Sequence, residues 1–545
     1  MERAPDTRNK CDWPFILGLT LVGLALFFHR LGAPGLMDPD EGRYAEIARE
    51  IFVLRDWLIP HLNLLPYLEK PPLVYWLTAL SFTVLGETEL AARLVPAVSA
   101  LAGVFLAYGL GRTLWGPGPG LLSALALASA AGYVALGRIL TLDMVFALFL
   151  NLGIGLGYLA LGRDQVRLWP WAYLALALAV LTKGPVALVL AGLAWGIWVG
   201  VSRGPWRRLI QIRCWMLLAV ITVPWFVYVQ WRHPEFFRFF ILEQHFGRFL
   251  TPAIHPEPLW YYLPVLLGLL LPWTWLLPWA IAGRGRWRDP DFRFLVIWAG
   301  VIVIFFSLSR GKLVPYILPA LLPLALLVGR GLDRLTGAGR LSFNRRFLKT
   351  SLLVWAVTGV ALVALMFWPP APLARALARS NLSSAYLLAV FLIWTLTPLA
   401  ALIWRHVGAL LLGALLLAAL VPRGIDQVAP GRSYKDMGEA LKARWQPGAA
   451  LVGVQLYSQG LSFYSGQVLH LMGCRTELDF GARLAPETGL VLADKAALPA
   501  FTAAHPVTFF FLKVHDLPWL AEGLPGKFRP VASHKDCILT VYEGK

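Results

Sequence analysis

The stretch PPLVYWLTALSFTVLG, Pro71–Gly86, decides the topology of this chain, because its status sets the side of the membrane on which every later loop lies. It has 16 residues, whereas a membrane-spanning helix needs roughly 20 apolar residues. We therefore expect a helix that lies at the membrane interface. Thirteen apolar segments then remain as spans, namely 13–29, 91–112, 118–136, 141–161, 168–183, 184–202, 214–231, 258–283, 292–309, 314–330, 350–368, 384–404 and 406–421.

The composition of the whole chain indicates a polytopic membrane protein. Hydrophobic residues make up 58% and charged residues 15%, against roughly 45–50% and about 25% in soluble domains. The net charge of +18 lies largely in short loops, where it reports topology and phosphate affinity rather than nucleic-acid binding. The apolar run at the N-terminus has no small-residue cleavage site, which predicts an uncleaved signal anchor.

Three basic loops test this topology. With 71–86 excluded as a span, all three lie on the same side as the N-terminus, and the positive-inside rule assigns that side to the cytoplasm. The sequence thus predicts a multi-pass protein of the bacterial inner membrane, with its C-terminal region in the periplasm. The basic residues are Arg203, Arg207, Arg208 and Arg213; Arg284, Arg286, Arg288 and Arg293; and Arg330, Arg334, Arg340, Arg345, Arg346 and Lys349.

The composition changes near residue 431, which predicts a transmembrane domain over 1–430 and a small periplasmic α/β domain over 431–545. Cys474 and Cys537 lie in this second domain, and both a disulfide and two unpaired thiols are open. The predicted elements are a helix at Ser433–Trp445 and strands at Ala450–Val454, Gly489–Leu492, Val507–Lys513 and Ile538–Tyr542.

The same topology gathers four polar loops on the outer face. They are 30–90, 137–143, 232–257 and 309–316. Charged groups at a membrane boundary cost free energy and usually serve ions, phosphates or chemistry. We therefore expect the active site to lie at this boundary.

The string Asp38-Pro39-Asp40-Glu41-Gly42-Arg43-Tyr44 is the densest polar stretch of these loops. From Glu41 the apolar positions have helical spacing, which predicts an amphipathic helix along the membrane surface. Helix capping would explain one aspartate but leaves the other acids unexplained. We expect at least one of them to be functional.

Other charged residues of the outer loops each have a functional and a structural interpretation. Lys70 is either a phosphate-binding point charge or a snorkelling base, and Asp143 is either functional or an N-terminal helix cap. Arg310 and Lys312, with Tyr316 one turn later, are phosphate-binding candidates. The 232–257 loop carries three histidines, and with Glu69 on the same face they make a zinc site conceivable, although no tight ligand spacing supports it.

These motifs resemble the lipid A aminoarabinose transferase family, which belongs to the C-type (GT-C) membrane glycosyltransferases alongside protein O-mannosyltransferases. The likeness runs from about residue 13 to residue 330. The matching strings are Asp38–Tyr44, Tyr67–Leu73, Tyr75–Leu77, Leu142–Asp143, His245–Phe249, Trp260–Pro264 and Lys312–Pro319.

The resemblance implies a GT-C fold, an all-α polytopic membrane domain with interfacial helices and a small periplasmic domain. It implies that Asp40 and Asp143 are the acids at the reacting centre. Glu69 would bind a divalent metal, zinc by its ligand chemistry, together with either His245 or His255. Lys70, Arg248 and Tyr316 would hold the donor phosphate. Arg43, Tyr44, Tyr67, Arg310 and Lys312 are further substrate- or phosphate-binding candidates.

The function so implied is transfer of a sugar, 4-amino-4-deoxy-L-arabinose, from undecaprenyl phosphate to a lipid A phosphate at the periplasmic face. The expected partners are the polyprenyl phosphate-linked donor, lipid A or another periplasmic acceptor, and membrane lipids, but no nucleic acid. A protein O-mannosyltransferase-like enzyme is the main alternative, since a protein hydroxyl would need a general base. A lipid or solute transporter is less favoured, because it would carry polar groups at mid-membrane, whereas the charges within 91–161 lie near span ends.

Overall fold

The computed structural model describes residues 12–204, 206–247, 256–282, 284–337, 340–341, 346–372, 375, 381–473 and 477–544. The side chains of 245, 246, 284, 285, 336, 337, 340, 341, 346, 347 and 544 are outside this description. Within it, eight helices are long and apolar enough to cross a membrane, which makes this a multi-pass membrane protein. They are Glu89–Trp115, Leu142–Gly162, Trp206–Arg232, Pro290–Leu308, Val314–Leu335, Leu348–Phe367, Ser384–Trp404 and Val407–Gly431.

Shorter apolar helices complete the membrane domain, and most of them agree with a predicted span. The polytopic helical class is therefore confirmed, while the number of crossings stays a prediction. These helices are Trp13–Gly23 with its π-helical continuation Leu24–Phe28, Pro117–Ala128, Ala131–Leu136, Trp169–Lys183, Val186–Ser202 and Tyr262–Leu269.

Two predicted spans are interrupted. Span 118–136 breaks at Ser129–Ala130, and span 258–283 divides into Leu259–Tyr261, Tyr262–Leu269, Trp273–Trp275 and Leu277–Ile281. Pro272 and Pro278 lie in the second segment, and proline removes a helical hydrogen bond. A hydrogen bond joins the two breaks, in which the Ala131 N–H donates to the Leu271 carbonyl at 2.8 Å.

The segment that decided the topology forms the helix Leu73–Leu85. A helix of 13 residues is about 20 Å long, against roughly 30 Å for the bilayer core. Pro71 and Pro72 precede it, and Gly86 ends it at a φ of 72°. Its length is therefore too small for an upright crossing, as the sequence analysis expected.

The chain forms two compact units. The first consists of residues 1–31, 96–226 and 241–427, and the second of 32–95, 227–240 and 428–545. The division drawn along the sequence at residue 430 thus differs from the spatial one, since the polar string near Asp38 belongs to the same unit as the C-terminal region. In the second unit, helix Asp40–Leu54 bears the string and packs on helix Leu73–Leu85 through Tyr44 and Tyr75, whose ring centroids are 6.0 Å apart.

The C-terminal region is built on a six-stranded mixed sheet, which confirms the predicted α/β class. Its strands are β1 (Ala450–Val454), β2 (Leu469–Met472), β3 (Val491–Leu492), β4 (Thr508–Lys513), β5 (Gly526–His534) and β6 (Cys537–Gly544). The order is β3-β2-β1-β4-β6-β5, parallel from β3 to β4 and antiparallel at β6 and β5. Leu451 lies opposite Leu469 and Phe509 in the fully buried β1.

Two of these strands were not predicted. Strand β2 is four residues long and includes His470, and edge strand β5 carries Lys527, Arg529 and Pro530. Charges and proline are typical of protected sheet edges and weaken the sequence signal of a strand. The remaining helices of this unit are Lys435–Arg444, Gln459–Ser465, Asp479–Leu484, Leu498–Ala504 and Leu517–Gly523.

Of the two cysteines in the C-terminal region, the structure describes Cys537. It is free and buried, with its Sγ 3.6 Å from the Tyr434 hydroxyl. Its pairing with Cys474 stays open, because Cys474 lies outside the described residues.

Candidate active site

Of the three acids in the polar string, two make structural contacts and one is accessible. Asp38 is one of the structural acids. Its Oδ2 accepts a hydrogen bond from the Ser458 hydroxyl at 2.6 Å, and its Oδ1 accepts one from the Gly460 N–H at 2.8 Å. Burial raises the pKa of Asp38 to about 6, and these two hydrogen bonds oppose the shift. Asp38 thus connects the start of helix Asp40–Leu54 to helix Gln459–Ser465.

Glu41 is also structural, because it forms a buried ion pair with Arg93. The guanidinium approaches both carboxylate oxygens at 2.7 Å, and each side chain is 1% exposed. Arg93 also donates to the carbonyls of Pro34 and Gly35 at 2.6 and 2.9 Å. The pair therefore fixes the backbone that leads into the polar string.

Asp40 is the accessible acid of the three. Its side chain is 54% exposed, and its Oδ1 lies 2.9 Å from Nη1 of Arg43. The Nε of Arg43 lies 3.1 Å from a carboxylate oxygen of Glu477. Arg43 is thus held between two acids, which orients the accessible carboxylate of Asp40; its predicted phosphate role stays a prediction.

The second predicted motif lies in the same unit. Tyr67 and Glu69 are both buried, and the Tyr67 hydroxyl donates to Oε2 of Glu69 at 3.4 Å. Burial and the neighbouring Glu69 carboxylate raise the pKa of Tyr67 well above its ordinary value, which keeps the phenol protonated as a donor. Lys70 is half-buried, with its Nζ 3.1 Å from the Glu69 carbonyl.

Helix Asp40–Leu54 continues with acids that are buried rather than solvated. Glu46 binds Arg49 through two contacts of 2.8 Å, and Glu50 accepts from the Leu64 N–H at 2.9 Å. Burial and the neighbouring Glu46 raise the pKa of Glu50 well above its ordinary value. These charges therefore serve the packing of the helix, which its amphipathic pattern did not reveal.

A second group of predicted residues lies in the first compact unit, around Asp143. This acid stands in the first turn of helix Leu142–Gly162 and forms an ion pair with Nζ of Lys183. The same Nζ lies over the Tyr316 ring at 4.3 Å and over the Phe146 ring at 5.4 Å. The structure thus brings Asp143 and Tyr316 together through a lysine.

Lys183 is the residue that the sequence analysis missed. It ends helix Trp169–Lys183, because Gly184 follows with a φ of 91° and starts the turn to the next helix. In the sequence, Lys183 has the pattern of a basic residue at a helix end, followed by a Gly-Pro break. The available signal was its isolation, since no other charged residue lies between Arg167 and Arg203.

Lys312 has surroundings that its prediction did not anticipate. It is 3% exposed, and its Nζ donates to the carbonyls of Glu257 and Ser309. Burial lowers the pKa of Lys312 below its ordinary value. Lys312 therefore joins two loop segments, while Arg310 beside it has an exposed side chain and remains the better phosphate candidate of the two.

The predicted metal ligands are only partly described. Glu69 is described, whereas His255 and the side chain of His245 lie outside the described residues. The phosphate-binding candidate Arg248 lies outside them as well. Across the side chains that are described, no group of three or more His, Cys, Asp or Glu could hold a metal ion. The metal site and the phosphate contact of Arg248 stay predictions.

Comparison with known proteins gives both a family model and close relatives. Residues 69–231 match the model described as dolichyl-phosphate-mannose-protein mannosyltransferase. The undecaprenyl phosphate-alpha-4-amino-4-deoxy-L-arabinose arabinosyl transferase 2 of Pseudomonas fluorescens Pf0-1 is 35% identical over 441 residues, covering 76% of each chain. The corresponding enzyme of Pseudomonas aeruginosa UCBPP-PA14 is 38% identical over 329 residues, which cover 58% of this chain and 59% of that protein.

Solved structures agree with this result. The crystal structure of ArnT from Cupriavidus metallidurans bound to undecaprenyl phosphate matches with a TM-score of 0.84 and 27% identity, covering 97% of this chain and 98% of that one. The archaeal oligosaccharyltransferase AglB from Archaeoglobus fulgidus matches at a TM-score of 0.54 and 12% identity, over 98% of this chain and 74% of that one, and so supports the GT-C fold alone. This chain belongs to the family of the undecaprenyl phosphate-aminoarabinose arabinosyl transferases.

Proposed function

We propose that this chain is a glycosyltransferase that moves 4-amino-4-deoxy-L-arabinose from undecaprenyl phosphate to a phosphate of lipid A. The relatives are named for this donor, and a structural relative was solved with undecaprenyl phosphate bound. The reaction takes place at the periplasmic face of the inner membrane, the side to which the loop charges assign the polar loops.

The observation that carries the proposal is the division of the three neighbouring acids. Asp38 and Glu41 are engaged in protein contacts, while Asp40 is exposed beside Arg43. An exposed carboxylate beside a guanidinium can stabilise positive charge on the reacting sugar. Of the three acids, Asp40 is the one with an exposed side chain.

In the proposed reaction, the bond between the anomeric carbon and the donor phosphate oxygen breaks, and an oxygen of the lipid A phosphate bonds to that carbon. Because the acceptor phosphate is already ionised, it needs no general base. Electrostatic stabilisation of the departing undecaprenyl phosphate is then the main demand on the protein. Lys70, Arg248, Arg310 and Tyr316 are the groups we assign to it.

A divalent metal remains part of the proposal. The carboxylate of Glu69 and an imidazole of His245 or His255 are donors that suit zinc. When bound, zinc would neutralise charge on the leaving phosphate. We expect about one zinc per chain in the purified protein by elemental mass spectrometry, and its loss in Glu69→Gln; an unchanged zinc content in that variant would remove Glu69 from the site.

A protein O-mannosyltransferase-like activity is the second candidate, favoured by the family model over residues 69–231. It differs from the first in its need for a base, because a protein hydroxyl must lose its proton. The exposed carboxylate of Asp40 could take that role. The acceptor therefore distinguishes the two candidates.

Mass spectrometry of lipid A tests the proposal directly. The gene is expressed in a strain that lacks aminoarabinose transfer, alongside Asp40→Asn and Glu439→Gln as a matched control on an exposed acid. We expect a pentosamine on a lipid A phosphate with the wild type and the control, and none with Asp40→Asn. Unmodified lipid A together with newly glycosylated periplasmic proteins would favour the second candidate instead.

A further inference from the structure

The ion pair between Asp143 and Lys183 has the features of a site that exchanges partners. Both side chains are largely buried, at 13% and 11% exposed, yet both keep some accessible surface. The Asp143 carboxylate also interacts electrostatically with the Tyr262 hydroxyl. The Lys183 ammonium also lies over the Tyr316 ring, which holds a cation without neutralising it.

A buried polar group without a partner lies close to this pair in the sequence. The hydroxyl of Thr141, two residues before Asp143, is buried at 6% exposure, and it has no hydrogen-bond partner among the residues that the structure describes. Buried hydroxyls are nearly always hydrogen-bonded in folded proteins. An unsatisfied buried hydroxyl at the start of the helix that bears Asp143 is therefore a reason to expect a polar ligand near this helix end.

We propose that the zwitterionic donor replaces this internal ion pair with two external ones. The donor phosphate forms an ion pair with Lys183, next to the phosphate-binding candidate Tyr316. The ammonium on carbon 4 of the sugar forms an ion pair with Asp143. An aliphatic amine is protonated at neutral pH, as lysine is, so the sugar carries the charge that Asp143 requires. This inference rests on the proposed function and makes Asp143 and Lys183 the residues that select an amino sugar.

The selection follows from the cost of an unpaired charge. When Lys183 turns to the phosphate of an amino-sugar donor, Asp143 gains the ammonium and no charge is left alone. With a neutral sugar on the same phosphate, Asp143 would lose Lys183 and gain nothing, and a buried unpaired charge is costly. The pair therefore admits phosphate-linked amino sugars and disfavours neutral ones.

Donor competition with purified full-length protein tests this inference. The donors are polyprenyl phosphate carrying the 4-amino sugar and the same compound with the nitrogen acetylated, with lipid A as acceptor. We expect the wild type to prefer the amino donor in kcat/KM by about 10- to 100-fold, the range of one charge-assisted hydrogen bond. In Asp143→Asn this ratio should fall to within about threefold of one, mainly through a higher KM for the amino donor.

Lys183→Gln gives an independent readout, because it removes the phosphate contact but leaves the ammonium contact. We expect KM to rise for both donors while the preference for the amino donor remains. Asp143→Glu keeps the charge and should keep the preference, which separates selection from folding. Asp164→Asn, which breaks an exposed ion pair with Arg208, is the matched control and should behave as the wild type.

The outcomes separate this inference from the function on which it rests. If the wild type transfers the amino sugar but Asp143→Asn, folded as judged by its melting temperature, retains the full preference, the exchange of ion pairs is wrong and the transferase stands. If the wild type transfers the amino sugar without preferring it, the exchange of ion pairs is likewise wrong. If the wild type transfers no amino sugar to lipid A, the proposed function fails and the exchange fails with it.

Discussion

Asp38 shows how a single carboxyl can look catalytic in sequence and be structural in the fold. It sits in the most polar stretch of an apolar chain, two positions from Asp40. Its hydrogen-bond partners, Ser458 and Gly460, are 420 and 422 positions away. No local pattern could therefore separate the two aspartates, and only the tertiary contacts do.

The raised pKa of Asp38 makes part of the stability depend on pH. Because its folded-state pKa of about 6 lies above the ordinary 3.8, the folded protein binds this proton more tightly than the unfolded chain does. The resulting stabilisation is fully present below about pH 4 and is lost as the pH rises through about 6. We expect the melting temperature to fall less between pH 5 and pH 7.5 in Asp38→Asn than in the wild type; equal slopes would contradict the assignment.

The Glu41–Arg93 pair should be costly to break from either side, because each change leaves one buried charge alone. Glu41→Gln and Arg93→Met should each lower the unfolding free energy by about 3–5 kcal/mol. The double variant should lose less than the sum of the two. Thermal unfolding of the four proteins measures this coupling.

An exposed ion pair provides the control for this cycle. Arg529 and Glu543 are 3.0 Å apart, with side chains 69% and 41% exposed. Surface pairs contribute little, so Glu543→Gln should stay within about 0.5 kcal/mol of the wild type. A similar loss at both pairs would mean that burial does not govern the effect.

Among the helices, the long apolar ones were predictable because about 20 apolar residues in a row have few alternatives to a span. Helix 384–404 agrees with its prediction at both ends. The breaks near residues 129 and 271 were not predictable, since they depend on the hydrogen bond that joins them. Lys183 was missed for a related reason, because its partner Asp143 comes from another helix.

Helices Asp40–Leu54 and Gln459–Ser465 approach each other through two glycines. A Cβ at Gly42 would lie 2.3 Å from Oδ1 of Asp38 and 2.6 Å from the Gly460 nitrogen. Gly42→Ala should therefore force the helices apart and destabilise the protein by about 1–3 kcal/mol. Gly192→Ala, also in a helix but with nothing within 4 Å of its Cβ, should leave the melting temperature unchanged or raise it slightly.

For the whole molecule, the orientation in the membrane is the prediction with the widest consequences. In a variant whose four native cysteines are replaced, a membrane-impermeant maleimide should label Arg310→Cys in intact spheroplasts. It should label Arg203→Cys only after the membrane is opened, because the positive-inside rule predicts that this loop faces the cytoplasm. The reverse pattern would invert the topology and move the polar loops away from a periplasmic acceptor.

The contact between the polar string and the C-terminal region also imposes an order on biosynthesis. Residues 32–95 leave the ribosome some 330 residues before residues 428–545, with which they form one compact unit. At about 5–20 residues per second this interval lasts roughly 20 to 70 s. During this interval, Asp38 and its neighbours lack the part of the chain that completes their compact unit. A premature stop codon near residue 430 would therefore remove Ser458 and Gly460, the hydrogen-bond partners of Asp38, even though the polar string itself is unchanged.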